Sequence, residues 1–199
     1  MFDGNVKGPI FSCSSDASFA DDVTTRRSSE GFVFFLYNGP IDWRATKQKT
    51  VTTSTTEAEL LALSGASREM MWWNRLFKAI NFSLEESISI NCDNAQTVNL
   101  MKKETPKLVT RLRHVDVHQM WLRQQVQGGI INIDLVPTLQ MHADGFTKVF
   151  SSQPHARFIE QLNMIDIENR LDKTTTPKDG VSRDFSGQSP ERVCQKEPT

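Results

Sequence analysis

The run from Gly31 to Leu63 constrains this chain more than any other stretch of its sequence. It reads GFVFFLY, then N-G-P, then IDWRAT, then KQKTVTTSTTEAELLAL. Gly31 to Tyr37 is strongly apolar and rich in strand formers, Asn38 to Pro40 carries turn chemistry, and Ile41 to Thr46 alternates as a half-buried strand should. Pro9 to Ser18 precedes them as a further strand that ends in a polar run, so the three make an antiparallel meander. Ser54 with Glu57 three residues on fits a capping box, and nothing interrupts the helical pattern from there through Ile80.

The remainder of the chain extends this start into a layered α/β order. Ser87 to Cys92 (SISINC) is a short apolar strand between two helices, which favours parallel pairing, and Ala95 to Lys103 is the second helix. HVDVHQMWLRQQVQ is a third helix, stopped by Gly128 and Gly129, and Ile130 to Val136 is a fifth strand ended by Pro137. A last helix is expected from about Leu139 to Val149, giving β-β-β-α-β-α-α-β-α. This divides the chain into a lead segment, 1–10, one domain, 11–150, and a segment, 151–169, that is either a C-terminal helix packed through Ile159 and Leu162 or a linker. Residues 170–199 have only Leu171, Val181, Phe185 and Val193 as sizeable apolar side chains and are expected to be disordered. No internal repeat is visible, which excludes solenoids and propellers.

Composition narrows the function. With 23 Lys and Arg against 24 Asp and Glu among 199 residues, the chain has a net charge of -1. It therefore exerts no global pull on a polyanion, and nucleic acid would have to be held by a local patch or delivered by a tether. Cys13, Cys92 and Cys194 are odd in number and widely spaced, so they build neither a disulfide framework nor a zinc ribbon. No stretch approaches the ~20 apolar residues that cross a bilayer, and the start has no secretory signal pattern. These features fit an intracellular chain, cytoplasmic or nuclear, without a membrane partner.

Four acids stand where solubility does not require them. Asp16 ends the first strand, Glu59 lies in the apolar first turns of the long helix, Asp93 follows SISINC, and Asp144 sits in the last helix. Open α/β sheets gather function at the strand ends where connections diverge, and the first and fourth strands would lie side by side there. Converging carboxylates repel unless cations offset them, and a set of hard oxygens without His or Cys favours Mg²⁺ or Mn²⁺ over zinc. Two such ions roughly 3.5–4 Å apart activate a water and stabilise the leaving oxygen of a phosphodiester. Taken singly, a strand-end Asp is more often a turn former and a helix Glu more often solvated; the constellation carries the argument.

The motifs around these acids are SDASFADD, EGFVFFLYNGPIDW, KQKTVTTSTTEAELLAL, CDNAQTVN, RHVDVHQMWLR and VPTLQMHADGFTK. Over roughly Ser12 to Phe150, in this order, they resemble the ribonuclease H domain at the end of the polyprotein of copia-type LTR retrotransposons. The resemblance implies a ribonuclease H-like fold, with a five-stranded mixed sheet flanked by helices. It also implies a metal-dependent endonuclease that uses two Mg²⁺ or Mn²⁺ ions to cut the RNA strand of an RNA–DNA hybrid, with a reverse transcriptase domain supplied in cis or in trans. Matched by motif, its catalytic and metal-binding acids are Asp16, Glu59, Asp93 and Asp144. Of the two glutamates in E-A-E, Glu59 is chosen because Leu60-Leu61-Ala62 follow it as in the wider ribonuclease H pattern, leaving Glu57 for the helix start. Phe19 and Asp21 depart from the Trp and Gly common in the family, outside the metal shell.

Met141-His142 departs as well; on a helix His142 would point about 100° or more from Asp144, toward solvent, the alternative being a place near the metals where it helps product leave, as a loop His does in some cellular ribonucleases H. His114 and Asp116 match the family's H-x-D, with a dipole partner at a helix start as the plainer role. The connector holding Lys102, Lys103, Lys107, Arg111 and Arg113 against Glu104 is the best local candidate for nucleic-acid phosphate contact, or else an ordinary solvated charge run. Met70, Met71, Trp72 and Trp73 could make a base-stacking platform, but Met70, Trp73 and Phe77 share a helix face with Leu63 and Ala66, which favours core packing and leaves Trp72 as the residue whose exposure matters. The only tyrosine, Tyr37, is followed by Asn-Gly-Pro rather than x-Asp-Asp, which excludes a polymerase. The acid order Asp, Glu, Asp is not an integrase's Asp, Asp, Glu. The alternative is a non-enzymatic remnant of a retrotransposon polyprotein, at most a weak nucleic-acid-binding module.

Overall fold

Three strands open the fold: β1 (Phe11–Ser18), β2 (Ser29–Leu36) and β3 (Gly39–Lys47). The computed structural model describes residues 9–84, 88–102 and 113–164, which lie in one compact unit. β2 and β3 are joined by Tyr37 and Asn38 alone, both at positive φ (48° and 64°), so that Leu36 pairs with Gly39. Two left-handed residues match the twist of a tight hairpin. The turn thus lies one residue earlier than the sequence indicates, and Pro40 is accommodated because β3 is an edge strand where a missing N–H costs little.

Helix α1 (Thr55–Ala79) starts as the capping box predicts, with Ser54 Oγ accepting the Glu57 N–H at 3.2 Å. It ends where Asn81 turns left-handed and the Phe82 N–H reaches back to the Phe77 carbonyl. β4 (Ser89–Cys92) runs parallel to β1, and β5 (Asn132–Leu135) runs parallel to β4. The sheet order is β3-β2-β1-β4-β5, the five-stranded mixed sheet expected. Because β1 and β4 are parallel neighbours, their carboxyl ends open on the same edge. Helices α2 (Ala95–Lys102) and α3 (Arg113–Gln127) lie where the sequence puts them, and Gly129, at φ 68°, stops the latter.

Alternation along the strands divides the core between two faces. Phe11, Cys13, Phe32 and Phe34 turn to α1, where Leu63, Ala66, Met70 and Phe77 are buried against them. On the opposite face Val33 and Phe35 pack against Phe158 and Leu162. Those last two side chains belong to α5 (Ser152–Gln161) and its C-cap, so the described part of the 151–169 segment is a packed helix rather than a linker.

One expected element is absent in the form predicted. Between 138 and 149 the chain makes a 3₁₀ turn (Thr138–Gln140), extends at Met141, and then forms the four-residue helix α4 (Asp144–Thr147). Met141 and Ala143 are both buried, and side chains two residues apart do not share a face of an α-helix. Burying both bends the segment. The lead residues before Pro9 and the 170–199 tail lie outside the described residues.

Two glycines let α4 and α5 approach the sheet. A Cβ on Gly31 would come within 2.7 Å of Phe146 Cβ and 3.1 Å of the Arg44 carbonyl, and one on Gly145 would meet the Phe158 ring at 2.5 Å. Gly65, inside α1, has nothing within 4 Å of the equivalent point. Gly145→Ala should therefore lower stability in thermal or urea unfolding by about 1–3 kcal/mol, as overpacking does. Gly65→Ala should raise it by about 0.4–1 kcal/mol, because it restricts only the unfolded chain and suits a helix. Equal effects from the two substitutions would contradict this packing.

Candidate active site

Small side chains bring the strand ends and the long helix together. Ala17 of β1 packs on Ala58 and Ala62 of α1, so the first turns of α1 lie close against the carboxyl end of β1. Glu59, next to Ala58, accepts a hydrogen bond from the Ala17 N–H and is 7 % exposed. Asp16, beside Ala17, is 1 % exposed and receives the Thr147 hydroxyl on Oδ2. Asp93, the first residue after β4, is half-buried and accepts the Thr138 hydroxyl at 2.9 Å. Asp16, Glu59 and Asp93 each place one carboxylate oxygen within 4.8 Å of the others.

Burial dominates the electrostatics. Glu59 is pushed up to about 9, first by loss of water and then by the charges of Asp16 and Asp93. Asp16 is also raised by burial, against the lowering effects of the Thr147 hydroxyl and Lys148. The adjoining Cys92 thiol is pushed up to about 12, again mainly by burial, so it stays protonated beside the acids.

The fourth predicted acid does not join this group. Asp144 is the first residue of α4 rather than an interior helix position, and its Oδ1 lies 2.6 Å from Lys148 Nζ, one turn along the chain. The same ammonium is 3.5 Å from Asp16 Oδ2. Burial lowers the Lys148 pKa, but Asp144, Asp16 and Asp93 together raise it above the ordinary lysine value. Sequence reasoning missed Lys148, Thr147 and Thr138. A signal for the first was present in D-G-F-T-K, an acid with a lysine four residues on.

Other predicted roles resolve as follows. The Glu57 carboxylate accepts from the Thr53 N–H (2.6 Å) and hydroxyl (2.8 Å) and so holds the start of α1. His142 does not face solvent: its Nδ1 lies 3.3 Å from Ser14 Oγ, its ring meets Phe35 edge-on, and burial lowers its pKa. The expectation failed because His142 lies in the bend before α4, not on a helix. His114 Nε2 lies 3.1 Å from Thr50 Oγ1, and Asp116 is half-buried in the first turn of α3. Of the basic connector, Lys102 and Arg113 are exposed, whereas Lys103, Lys107 and Arg111 lie outside the described residues. Trp72 is 46 % exposed, while Met70 and Phe77 are core residues.

The donor set fits a hard cation. The three clustered groups offer only carboxylate oxygens, and together with Asp144 they face a single ammonium among the described residues, so positive charge there is in deficit. Without a cation, the raised pKa of Glu59 favours its protonated form. The structural surroundings nevertheless donate hydrogen bonds to Asp16, Glu59 and Asp93, which favour the ionised forms.

Comparisons with known proteins agree with this architecture. The chain is 33% identical over 141 residues, 71% of its length, to the retrovirus-related Pol polyprotein from transposon TNT 1-94 of Nicotiana tabacum. It is 31% identical over 153 residues, 77% of its length, to that from transposon RE2 of Arabidopsis thaliana. The chain spans about a tenth of the length of these curated relatives. LC11-RNase H1, isolated from compost by a metagenomic approach, superposes with a TM-score of 0.52 at 11% identity, over 70% of this chain and 93% of that one. No protein-family model matches. The fold and the family resemblance read from the sequence are both borne out.

The raised glutamate makes stability depend on pH. In EDTA, between the ordinary value of 4.5 and about 9, folded chains hold a proton on Glu59 that unfolded chains release. The stabilisation is complete below the lower value and is lost as pH rises toward the upper one, at up to ~1.4 kcal/mol per pH unit. Glu59→Gln should flatten that decline between pH 5 and 9 in melts run with EDTA. A variant as pH-sensitive as wild type would place the titration elsewhere.

Proposed function

The chain is homologous to one segment of the retrovirus-related Pol polyproteins of plant transposons and carries a ribonuclease H-like fold, and from that premise we propose that it is a metal-dependent endonuclease cutting the RNA strand of RNA–DNA hybrids. The observation that carries this reading is the trio Asp16, Glu59 and Asp93, the first two buried and the third half-buried, three oxygen donors on different elements with Lys148 the cation paired to Asp16 among the described residues. Asp144 completes the proposed catalytic set, and Asp16 and Asp144 face each other across Lys148. Lys102, Lys103, Lys107, Arg111 and Arg113 are proposed to contact substrate phosphates. A reverse transcriptase domain, in cis or in trans, is the proposed partner. No helix among the described residues is long and apolar enough to cross a membrane.

In this mechanism Asp16, Glu59, Asp93 and Asp144 would hold the divalent cations, with the first three forming the compact part of the site. Such ions supply Lewis-acid polarisation of the phosphodiester and a water of lowered pKa. The protein contributes fixed orientation. Thr147 anchors Asp16, the Ala17 N–H anchors Glu59 and Thr138 anchors Asp93, so each carboxylate is positioned before substrate arrives. Discrimination of RNA from DNA rests on 2′-hydroxyls presented in the minor groove.

The test uses the full chain with a hybrid labelled on its RNA strand, in Mg²⁺, Mn²⁺ or EDTA. Cleavage with either metal and none in EDTA is expected; hybrid bound but uncut in both metals would favour the non-enzymatic remnant. Asp16→Asn should abolish cleavage yet melt higher than wild type in EDTA, because the raised pKa means that the charged form destabilises the fold. It should also gain less stability from metal, which binds the folded site only. Unchanged melting, metal response and cleavage would overturn the proposal.

The two glutamates provide a separate test. Glu59→Gln should abolish cleavage, whereas Glu57→Gln should cost about 1 kcal/mol of stability and leave cleavage in place. The reverse pattern would assign the metal to the wrong residue.

A further inference from the structure

Trp72 stands on the side of α1 that faces away from the acids, and it does not stand there alone. Helical residues turn by about 100° each, so Arg68, Trp72 and Arg75, at i, i+4 and i+7, form one stripe about 60° wide. All three are exposed. Glu69, the acid next to Arg68, is turned about 100° off the stripe and is half-buried. Neither arginine makes a salt bridge among the described residues. The indole itself is buttressed: its ring meets Trp73 edge-on, with centroids 5.0 Å apart and planes at 81°. Trp73 in turn donates its Nε1–H to Asp42 Oδ2 at 3.1 Å. Beyond Arg68 the positive line continues to β3, where Arg44 is exposed and, paired with Phe32, stands on the α1 side of the sheet. Burial raises the Glu30 pKa, while Arg44, a hydrogen bond from Gln48, Arg68 and Lys49 oppose the rise, so three cations surround that one carboxyl.

A lone exposed apolar side chain needs no explanation. A flat, buttressed aromatic ring with a guanidinium on either side along one helix face is different, because it offers a base a surface to stack on and its neighbouring phosphates two positive charges. We propose that the stripe Arg68, Trp72 and Arg75 on α1 is a subsite for single-stranded nucleic acid, with Trp72 stacking a base and the two arginines taking phosphates to either side. The arginines are seven residues apart, about 10 Å along the axis, which spans about three stacked nucleotides at ~3.4 Å each. In a chain of net charge -1 a local patch of this kind is what binding a polyanion requires. Trp72 lies thirteen residues, about 20 Å, along α1 from Glu59 and faces the opposite way, so the strand it takes is unpaired chain outside the acidic site. Stacking is tolerant of sequence, and the subsite needs neither a metal nor a cleavable hybrid.

Fluorescence anisotropy of a short labelled oligothymidylate, titrated with the full chain in EDTA at several salt concentrations, tests this. Wild type should bind the strand. Trp72→Ala should weaken binding about 5- to 100-fold, the range for one lost base stack, and leave the salt dependence as it is. Trp72→Phe, which keeps a ring, should recover part of the loss. Arg68→Ala combined with Arg75→Ala should lower the slope of log affinity against log salt by about 1.4, at ~0.7 for each single-strand phosphate contact. An abasic strand of the same length should bind wild type and Trp72→Ala alike. EDTA and the absence of a hybrid keep the measurement apart from hydrolysis, so a chain that fails to cleave can still pass it and a chain that cleaves can fail it. The proposal is refuted by a wild type that does not bind the strand. It is refuted equally by Trp72→Ala and the arginine pair both binding as wild type does, which would assign the strand to another surface and the stripe to a protein partner. The arginine pair, exposed on the helix, decides the matter even if Trp72→Ala folds poorly.

Discussion

The structure depends on keeping like charges together away from water. Asp16 and Glu59 are almost fully buried and, with Asp93, have oxygens within 4.8 Å of one another. Left ionised and unaccompanied, such a group would work against the fold, since desolvation and repulsion both penalise the charged forms. Each nearby device opposes that penalty. Thr147, Thr138 and the Ala17 N–H donate to the carboxylates, Lys148 supplies one positive charge, and a proton on Glu59 removes one negative charge.

Delivering those devices to one place sets requirements across the whole domain. Thr147 and Lys148 lie on the face of the sheet opposite α1, and they reach Asp16 because its cross-strand partner is Gly31. Any side chain there would meet Phe146 and Thr147 and push α4 outward. Phe158 of α5 then backs α4 at Gly145, where a ring edge occupies the space of the missing Cβ. On the other face Ala17, Ala58 and Ala62 do the equivalent for Glu59. The site is held from two sides by residues notable for being small, and the large aromatic side chains lie behind them.

This division explains what the sequence revealed. Strands and helices governed by local period were legible: the meander, α1 with its cap, and the parallel β4 all follow from patterns of a few residues. The placement of Asp16, Glu59 and Asp93 was legible too, because strand ends and a helix start fix them relative to one another. The segment from Thr138 to Lys148 was not. Its path is decided by burial of Met141 and Ala143 and by Thr138 reaching Asp93, contacts with residues far away in the chain. The solvent-facing His142 and the helix-interior Asp144 both failed for that one reason. Lys148 was overlooked because an exposed i,i+4 pair and a counter-ion for a buried acid look alike until Asp16 is seen beside it.

A site short of positive charge has two ways to be neutralised, and they exclude each other at Glu59. With no cation present, a carboxyl whose pKa stands at about 9 holds its proton at neutral pH and is a poor ligand. A divalent cation held at the site, as proposed, would favour the carboxylate and expel that proton, so that binding and deprotonation would be one linked event. The energy released on binding is then the attraction of the cation less the cost of removing the proton, and that cost falls by ~1.4 kcal/mol for each unit the pH rises toward 9. On that proposal, affinity for a cation would climb with pH over the range in which the cation-free fold loses stability. The same carboxylate that makes the empty site tolerable at low pH would make it receptive at high pH, because both effects measure one proton on Glu59.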